Sequence, residues 1–141
     1  MIRYANKYDI DKIIELLKDF AIKTESQLKG NPLDWSKTYV MQLITNIIAG
    51  QGFILIDDEQ TGILIAYKNH CFWNDKSIQL QEVMLHGYNK FVIAKLIKEY
   101  VKIAKEMLKN NEIQQAVMSS YDGVKFERYG MVKLEQHWEI K

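Results

Sequence analysis

The chain has 141 residues, of which 48% are hydrophobic and 26% are charged, and its formal net charge is +1. This length suits a single domain with its own core, and a charge near zero argues against nucleic-acid binding through a general electrostatic field. Its one cysteine excludes an internal disulfide, the first residues lack a signal-peptide segment, and no apolar run reaches the roughly 20 residues that span a bilayer, so we expect a cytoplasmic protein with no nucleic-acid or membrane partner.

The first elements expected are a short strand and a helix. Residues 2–4 alternate as a strand does, and Asn6 and Asp9 have the spacing of a capping box at a helix start. The helix that follows has one apolar face, formed by Ile10, Ile13, Ile14, Leu17, Phe20 and Ala21.

A second helix is expected after a polar break. Its cap is either Asn31, with Pro32 at the first helical position, or Asp34 one turn later. Gly50 or Gly52 would end it. Its inner face consists of Val40, Leu43, Ile44, Ile47 and Ile48.

Two apolar runs in the middle of the chain predict an antiparallel hairpin. Residues 53–56 and 63–67 are the strands, and the polar residues 57–62 form the turn between them. Residues 70–75 are expected to form a loop that carries Phe72 and Trp73.

The stretch 78–108 predicts a strand, a short polar turn and a long helix. The strand covers 78–85, the turn covers 86–90, and the helix begins at Phe91. The helix has an apolar stripe at three- and four-residue spacing, formed by Ile93, Leu96, Ile97, Tyr100, Ala104, Met107 and Leu108. Because a helix N-terminus carries unpaired N–H groups, this turn is suited to an anion, above all a phosphate.

The last third of the chain continues the same sheet. Residues 113–118 predict a strand parallel to the preceding one, because a crossover helix separates the two. Residues 121–129 predict a short helix closed by Gly130, and the alternation of apolar and charged residues over 132–140 predicts a final strand with one buried face. The order predicts one domain over residues 1–141, with a mixed α/β sheet that is antiparallel in its first half.

Three segments resemble the GNAT superfamily of N-acetyltransferases. Residues 1–10 look like the family's first strand and the start of its first helix. Gln81-Glu-Val-Met-Leu-His86 looks like the end of its fourth strand, and Lys125-Phe-Glu-Arg-Tyr-Gly-Met131 looks like its C-terminal segment around Phe-Tyr and Gly-Phe. The resemblance covers nearly the whole chain, and the shortened loops are similar to those of GNAT-like proteins of tailed phages.

The resemblance implies a GNAT-type fold with a mostly antiparallel central sheet, parallel and splayed fourth and fifth strands, and helices on both faces. It also implies acetyl-CoA as cosubstrate. Val83 and Leu85 would offer main-chain groups to the pantetheine arm. The residues under the pyrophosphate would be Tyr88, Asn89, Lys90 and Phe91.

The chain also departs from the family pattern at three positions. The phosphate loop has only Gly87 where the family has several glycines, which allow close approach of the backbone. Phe126, also assigned to the cofactor site, stands where the family often has a tyrosine acid, and Ser119 stands where an asparagine is common.

The candidate catalytic groups are Glu82 and Tyr121. Glu82 is the only carboxylate of the central strand and would act as the base if burial raised its pKa, or else it is an ordinary polar residue of the sheet. Tyr121 would replace the missing acid, or else it packs or caps. His86 is an alternative base or a solvated loop histidine, and the serines at 119 and 120 are expected to cap a helix.

Two functions remain open at this point. One is transfer of an acetyl group from acetyl-CoA to a primary amine, on a small molecule or a protein, by direct attack. The other is a catalytically silent binding or structural protein of the same fold, as in a virus. Phe72, Trp73 and Trp35 would line the acceptor pocket of an enzyme, or else they pack in the core or form a surface for a protein partner. No metal-ligand spacing appears, so we expect no metal, and the C-terminal strands could pair in a homodimer.

Overall fold

A computed structural model describes residues 1–23, 36–119, 124–135, 138 and 140. Helices α1, α2 and α3 cover Ile10–Lys23, Lys37–Asn46 and Lys90–Lys109. Short helical turns cover Lys7–Asp9, Ile47–Gln51 and Phe126–Tyr129. Strands β1 to β5 cover Ile2–Tyr4, Gly52–Asp57, Gly62–Cys71, Asn74–Gly87 and Gln115–Val117.

The five strands form one sheet in the order β1-β2-β3-β4-β5. Neighbouring strands are antiparallel except β4 and β5, which are parallel. One core cluster joins the sheet to α1 and α2, and a second cluster joins its other face to α3. The predicted mixed sheet, with helices on both faces and a parallel pair after a crossover helix, is therefore confirmed.

A β-bulge divides β4 into two halves. Met84 lies opposite Ile65 and Glu82 lies opposite Ala66, so Val83 is an extra residue with no partner of its own on β3. Regular alternation would put residues 80, 82, 84 and 86 on one face of the sheet. Because the bulge shifts this alternation, Leu80 packs in the cluster with α3, whereas Met84 packs in the cluster with α1 and α2.

The predicted capping box at the start of the first helix is confirmed. The Asn6 side chain accepts a hydrogen bond from the Tyr8 amide, and the Asp9 carboxylate accepts one from the Asn6 amide, each at 2.9 Å. The Arg3 guanidinium also donates two hydrogen bonds to the buried Asp9, at 2.8 and 2.9 Å. This guanidinium holds the pKa of Asp9 down at about 2.

The second helix differs from the prediction at its start and on its inner face. In the described residues α2 begins after Ser36, whose side chain accepts a hydrogen bond from the Tyr39 amide, whereas Asn31 and Asp34 lie outside those residues. Leu43 was assigned to the inner face and is exposed, while Ile44 is buried as predicted.

The predicted loop at residues 70–75 is wrong. β3 continues through Cys71 and β4 begins at Asn74, so the two strands form a long hairpin whose tip is Phe72 and Trp73. Polar residues on a hairpin arm that extends past the rest of the sheet have no core to face, and they therefore lack the apolar pattern of a strand.

The C-terminal part also departs from the prediction. Within residues 121–129 the described helix is only Phe126–Tyr129, which Gly130 closes in a left-handed conformation with φ of +80°. Residues 132–135, 138 and 140 have no strand conformation, and their apolar side chains, expected to be buried, are exposed: Val132, Leu134, Trp138 and Ile140.

Candidate functional site

The candidate site lies where β4 and β5 part. The two strands pair at only three positions, from Gln79 with Gln115 to Gln81 with Val117. β5 ends there, while β4 continues to Gly87 with no second strand along that edge in the described part of the chain. The bulge at Val83 follows directly, and bulges bend a strand and increase its twist. The predicted divergence of the parallel pair therefore coincides with a defect in β4.

Glu82 stands at the start of this divergence with its side chain only 3% exposed. Its Oε2 accepts a hydrogen bond from the backbone N–H of Ser119, at 3.2 Å, just beyond the end of β5. Burial raises the pKa of Glu82 to about 7, and the Ser119 hydrogen bond opposes that rise. The burial that the base role of Glu82 would require is therefore present.

A cavity of about 1020 Å³ opens beside Glu82. Its walls are Gln81 and Glu82 of β4, β5 with the two residues after it, the C-terminal half of α3, most of residues 124–135, and Trp138. Phe126 lies in this wall, and its phenyl ring has no proton to donate.

Val83 and Leu85 lie on β4 beyond its last pairing with β5. The Val83 side chain is half exposed at the bulge. Leu85 packs against the core under α3 and lies opposite Leu64 on β3. A strand edge of this kind has main-chain groups that an extended ligand can pair with.

The N-terminus of α3 is capped by the side chain of Asn89. The Asn89 Oδ1 accepts hydrogen bonds from the amides of Phe91 and Val92, each at 3.0 Å. The Tyr88 amide donates to the Thr61 carbonyl at 3.0 Å. Two of the four residues expected under the pyrophosphate, Tyr88 and Phe91, therefore already have their amides bonded within the protein. Lys90 lies at this end of the helix, with its Nζ 5.5 Å from the centroid of the Phe91 ring.

Tyr88 and His86 face α1 and not the cavity. The Tyr88 hydroxyl donates to the Asp19 carboxylate at 2.5 Å, and this hydrogen bond raises the Tyr88 pKa to about 12. His86 is buried beside the Phe20 and Tyr88 rings, and burial lowers its pKa. Its Nε2 has no hydrogen-bond partner in the described residues. The bulge thus separates His86 from Glu82, and the expectation of a solvated loop histidine is wrong.

The structure describes only some of the other predicted residues. Tyr121 lies outside the described residues, and so does Trp35. Phe72 and Trp73, at the tip of the β3–β4 hairpin, are 98% and 85% exposed. Within the described ranges no group of His, Cys, Asp and Glu side chains could hold a metal ion, and no helix is long and apolar enough to cross a membrane.

One residue of the site was not recognised from the sequence. Tyr100 was assigned only to the apolar stripe of α3, yet its hydroxyl donates to the Val117 carbonyl at 2.8 Å, where β4 and β5 part. The signal available in the sequence was a tyrosine, with its polar atom, at a position otherwise occupied by aliphatic residues.

The mixed sheet with its parallel β4–β5 pair and helices on both faces matches the GNAT fold. No family model matches the chain, and no curated protein matches it either. Solved structures do. A possible acetyltransferase from Clostridium difficile 630 is 13% identical with a TM-score of 0.68, covering 100% of this chain and 95% of that one.

Two other solved structures have the same fold. A predicted acetyltransferase from Clostridium acetobutylicum, solved with acetyl-CoA, is 12% identical with a TM-score of 0.69, covering 100% of this chain and 95% of that one. An aminoglycoside acetyltransferase from an uncultured soil metagenomic sample, in complex with trehalose, is 13% identical with a TM-score of 0.66 and the same coverage of both chains. Likeness at this low identity establishes the GNAT fold of this chain.

Proposed function

We propose that this protein is an N-acetyltransferase that transfers an acetyl group from acetyl-CoA to a primary amine. The observation that carries the proposal is the buried carboxyl of Glu82 at the point where β4 loses its pairing with β5. A strand edge and an ionisable group with a pKa of about 7 lie together there, and acyl transfer to an amine requires both a donor site and a base. Solved acetyltransferases with the same fold, one of them with acetyl-CoA, add support.

The residues present fit the pantetheine end of acetyl-CoA better than its diphosphate end. The β4 edge at Val83 and Leu85 fits the pantetheine amides, which would pair with it as an added strand does. The diphosphate would lie over residues 88–91, where Lys90 adds a positive charge. Asn89 opposes this, because its side chain occupies two amides that the diphosphate needs. Phe126 would contact the cofactor from the cavity wall.

The proposed chemistry is direct attack of a neutral amine on the thioester carbonyl. Acetyl-CoA supplies an activated acyl carbon, the C–N bond forms as the C–S bond breaks, and the departing thiolate takes up a proton. Glu82 would accept the proton of the ammonium, directly or through a water, because a base acts best with a pKa near the working pH. We propose Tyr121 as the proton donor to the thiolate, since Phe126 has no proton to give.

The acceptor is proposed as a small-molecule or protein amine. One solved structure with this fold is an aminoglycoside acetyltransferase, which makes polyamino sugars a reasonable first panel, together with polyamines and lysine peptides. We also propose a homodimer, because the apolar side chains of Val132, Leu134 and Trp138 are exposed. Sedimentation equilibrium would test it.

The first experiment measures thermal unfolding with increasing acetyl-CoA. A ligand at about 100 times its dissociation constant stabilises the folded state by about 2.7 kcal/mol, which for a chain of this size is a rise of several degrees in Tm. Adenosine bisphosphate and pantetheine, tested separately, would show which end of the molecule binds. The absence of any shift at millimolar acetyl-CoA would refute the proposal.

The second experiment measures thiol release with the amine panel. Glu82→Gln should lower kcat by roughly 10²–10⁴-fold while leaving the Kd for acetyl-CoA unchanged, because the base acts on the amine and not on the donor. The matched control is Glu106→Gln, which removes an exposed carboxylate of α3. Equal turnover in the Glu82 variant and the control would remove Glu82 from the mechanism.

A second candidate function is a GNAT-fold binding protein without catalysis. Two observations favour it: Asn89 fills the anion site at α3, and Phe72 and Trp73 are exposed at the hairpin tip. This alternative predicts no acetyl-CoA shift and loss of partner binding in a Phe72→Ser, Trp73→Ser double variant with unchanged stability.

A further inference from the structure

Tyr100 occupies the position from which one side chain contacts both diverging strands. It lies on α3, only 2% exposed, in the core cluster that joins this helix to the sheet. Its ring packs against Phe53, with 6.3 Å between the ring centroids. The packing fixes the ring, and the ring in turn fixes the direction of the hydroxyl.

The hydroxyl bonds to the last residue of β5. It donates to the Val117 carbonyl at 2.8 Å and lies 3.4 Å from the Leu80 carbonyl on β4. A hydroxyl has one proton, so the shorter contact to Val117 is the hydrogen bond. Tyr100 therefore ties the end of β5 to α3 at the last rung of the parallel pair.

This tie has a consequence for Glu82, because Ser119, whose amide bonds to Glu82, lies two residues after Val117. Two residues span at most about 7 Å, so holding Val117 restricts the positions that the Ser119 amide can reach. That amide donates to the Glu82 carboxylate at 3.2 Å, across the gap between the strands. Glu82 is thus held by a chain of contacts that begins at Tyr100.

We propose that Tyr100 is a positioning residue, whose hydroxyl fixes the end of β5 and thereby keeps the Ser119 amide on the Glu82 carboxylate. The inference rests on the proposed function for the use made of Glu82, but the arrangement is testable without activity. Other ionisable groups line the same cavity and must stay constant in any comparison: Lys105, Glu127, Tyr129, Lys133 and Glu135.

The experiment follows the Glu82 carboxyl by carbon NMR on protein labelled at the glutamate side-chain carboxyls, with the resonance assigned by its loss in Glu82→Gln. A hydrogen bond from an amide favours the ionised form, so its loss should raise the pKa. In Tyr100→Phe we expect the titration midpoint of Glu82 to rise by about half to one pH unit. The Ser119 amide should also exchange with solvent at least several-fold faster.

Two controls separate positioning from a general loss of structure. Tyr39→Phe removes an exposed hydroxyl and Ser119→Ala keeps the amide, so neither should move the Glu82 midpoint. If Tyr100→Phe does not fold, 4-fluorophenylalanine at position 100 fills the space of the hydroxyl without a proton and should give the same rise.

An unchanged midpoint together with unchanged Ser119 exchange, in either folded variant, would overturn the proposal. This outcome is distinct from failure of the proposed function, since the titration needs no acetyl-CoA. If the protein is active, the acid limb of the pH–rate profile should move by the same amount as the midpoint in Tyr100→Phe. A fall in rate without that movement would indicate a structural role only.

Discussion

Replacing Asn89 with alanine should weaken the folded protein and tighten its binding of coenzyme A at the same time. Asn89 caps α3 with two hydrogen bonds of 3.0 Å, to the amides of Phe91 and Val92. A diphosphate at this helix end would need those amides, so the cap must open before it binds. The Asn89 backbone is extended, with φ of −147° and ψ of 161°, which alanine adopts without strain.

The size of the effect follows from the value of the cap. Loss of an Asn cap costs about 1 kcal/mol of stability, which lowers Tm by about 3 °C in a chain of this length. The same energy no longer opposes the ligand in Asn89→Ala. Because about 1.4 kcal/mol is a tenfold change in affinity, the Kd for coenzyme A should fall by about fivefold.

The assay combines calorimetric titration of coenzyme A with thermal unfolding of the free protein. The control is Ser36→Ala, which removes the cap of α2 and should lower Tm similarly without changing the Kd. A Kd that is unchanged or larger in Asn89→Ala would refute the competition between cap and ligand. It would indicate that the side chain of Asn89 itself contributes to binding, or that the diphosphate binds elsewhere.

Stability measurements test three other parts of the structure. Burial raises the Glu82 pKa from 4.5 to about 7, so the folded state keeps a proton that the unfolded chain releases. Between pH 4.5 and 7 the wild type should therefore lose roughly 3 kcal/mol of stability relative to Glu82→Gln, as measured by urea titration. Gly87→Ala places a Cβ 2.7 Å from the Val92 side chain and should cost about 1–3 kcal/mol; equal stability would mean that the helix start shifts freely. The Arg3 guanidinium lowers the pKa of Asp9 to about 2, so the ion pair should stabilise the fold above pH 3.8 and lose that effect as the pH falls to about 2. In acid unfolding, Asp9→Asn should not show this loss.

Much of the fold follows from local pattern. The capping box at Asn6 and Asp9, the stripe of α3 and the apolar strands β2 and β3 each depend on neighbouring residues, and each appears where expected. The parallel pairing of β4 with β5 follows from the helix between them. These features are determined over short stretches, so the sequence is sufficient to predict them.

The bulge at Val83 could not be predicted in the same way. It depends on how β4 pairs with β3, about eighteen residues earlier in the chain, and nothing at position 83 marks it locally. Period-two alternation therefore puts Glu82 and Met84 on one face of the sheet, whereas the structure puts them on opposite sides. Alternation likewise predicts a C-terminal strand, but Val132 and Leu134 are exposed and not in strand conformation.

The candidate site was predictable in part for a related reason. Glu82 could be named because it is the only carboxylate in the apolar half of β4, and its residue type carries chemistry. Its burial raises the pKa, and its hydrogen bond to the Ser119 amide opposes that rise; both arise only when the folded chain brings distant residues near. Asn89 was placed under a phosphate, but its role as the helix cap depends on its backbone conformation.

The single extra residue in β4 sends its even-numbered side chains to one face of the sheet before the bulge and to the other face after it. Before Val83, Leu80 packs with α3 and Glu82 lines the cavity. After Val83, Met84 packs with α1 and α2, and His86 lies beside Phe20 of α1. Deleting Val83 would restore strict alternation without turning either half of the strand over, because Glu82 and Met84 would then be neighbours, and neighbouring residues of a strand face opposite sides of the sheet.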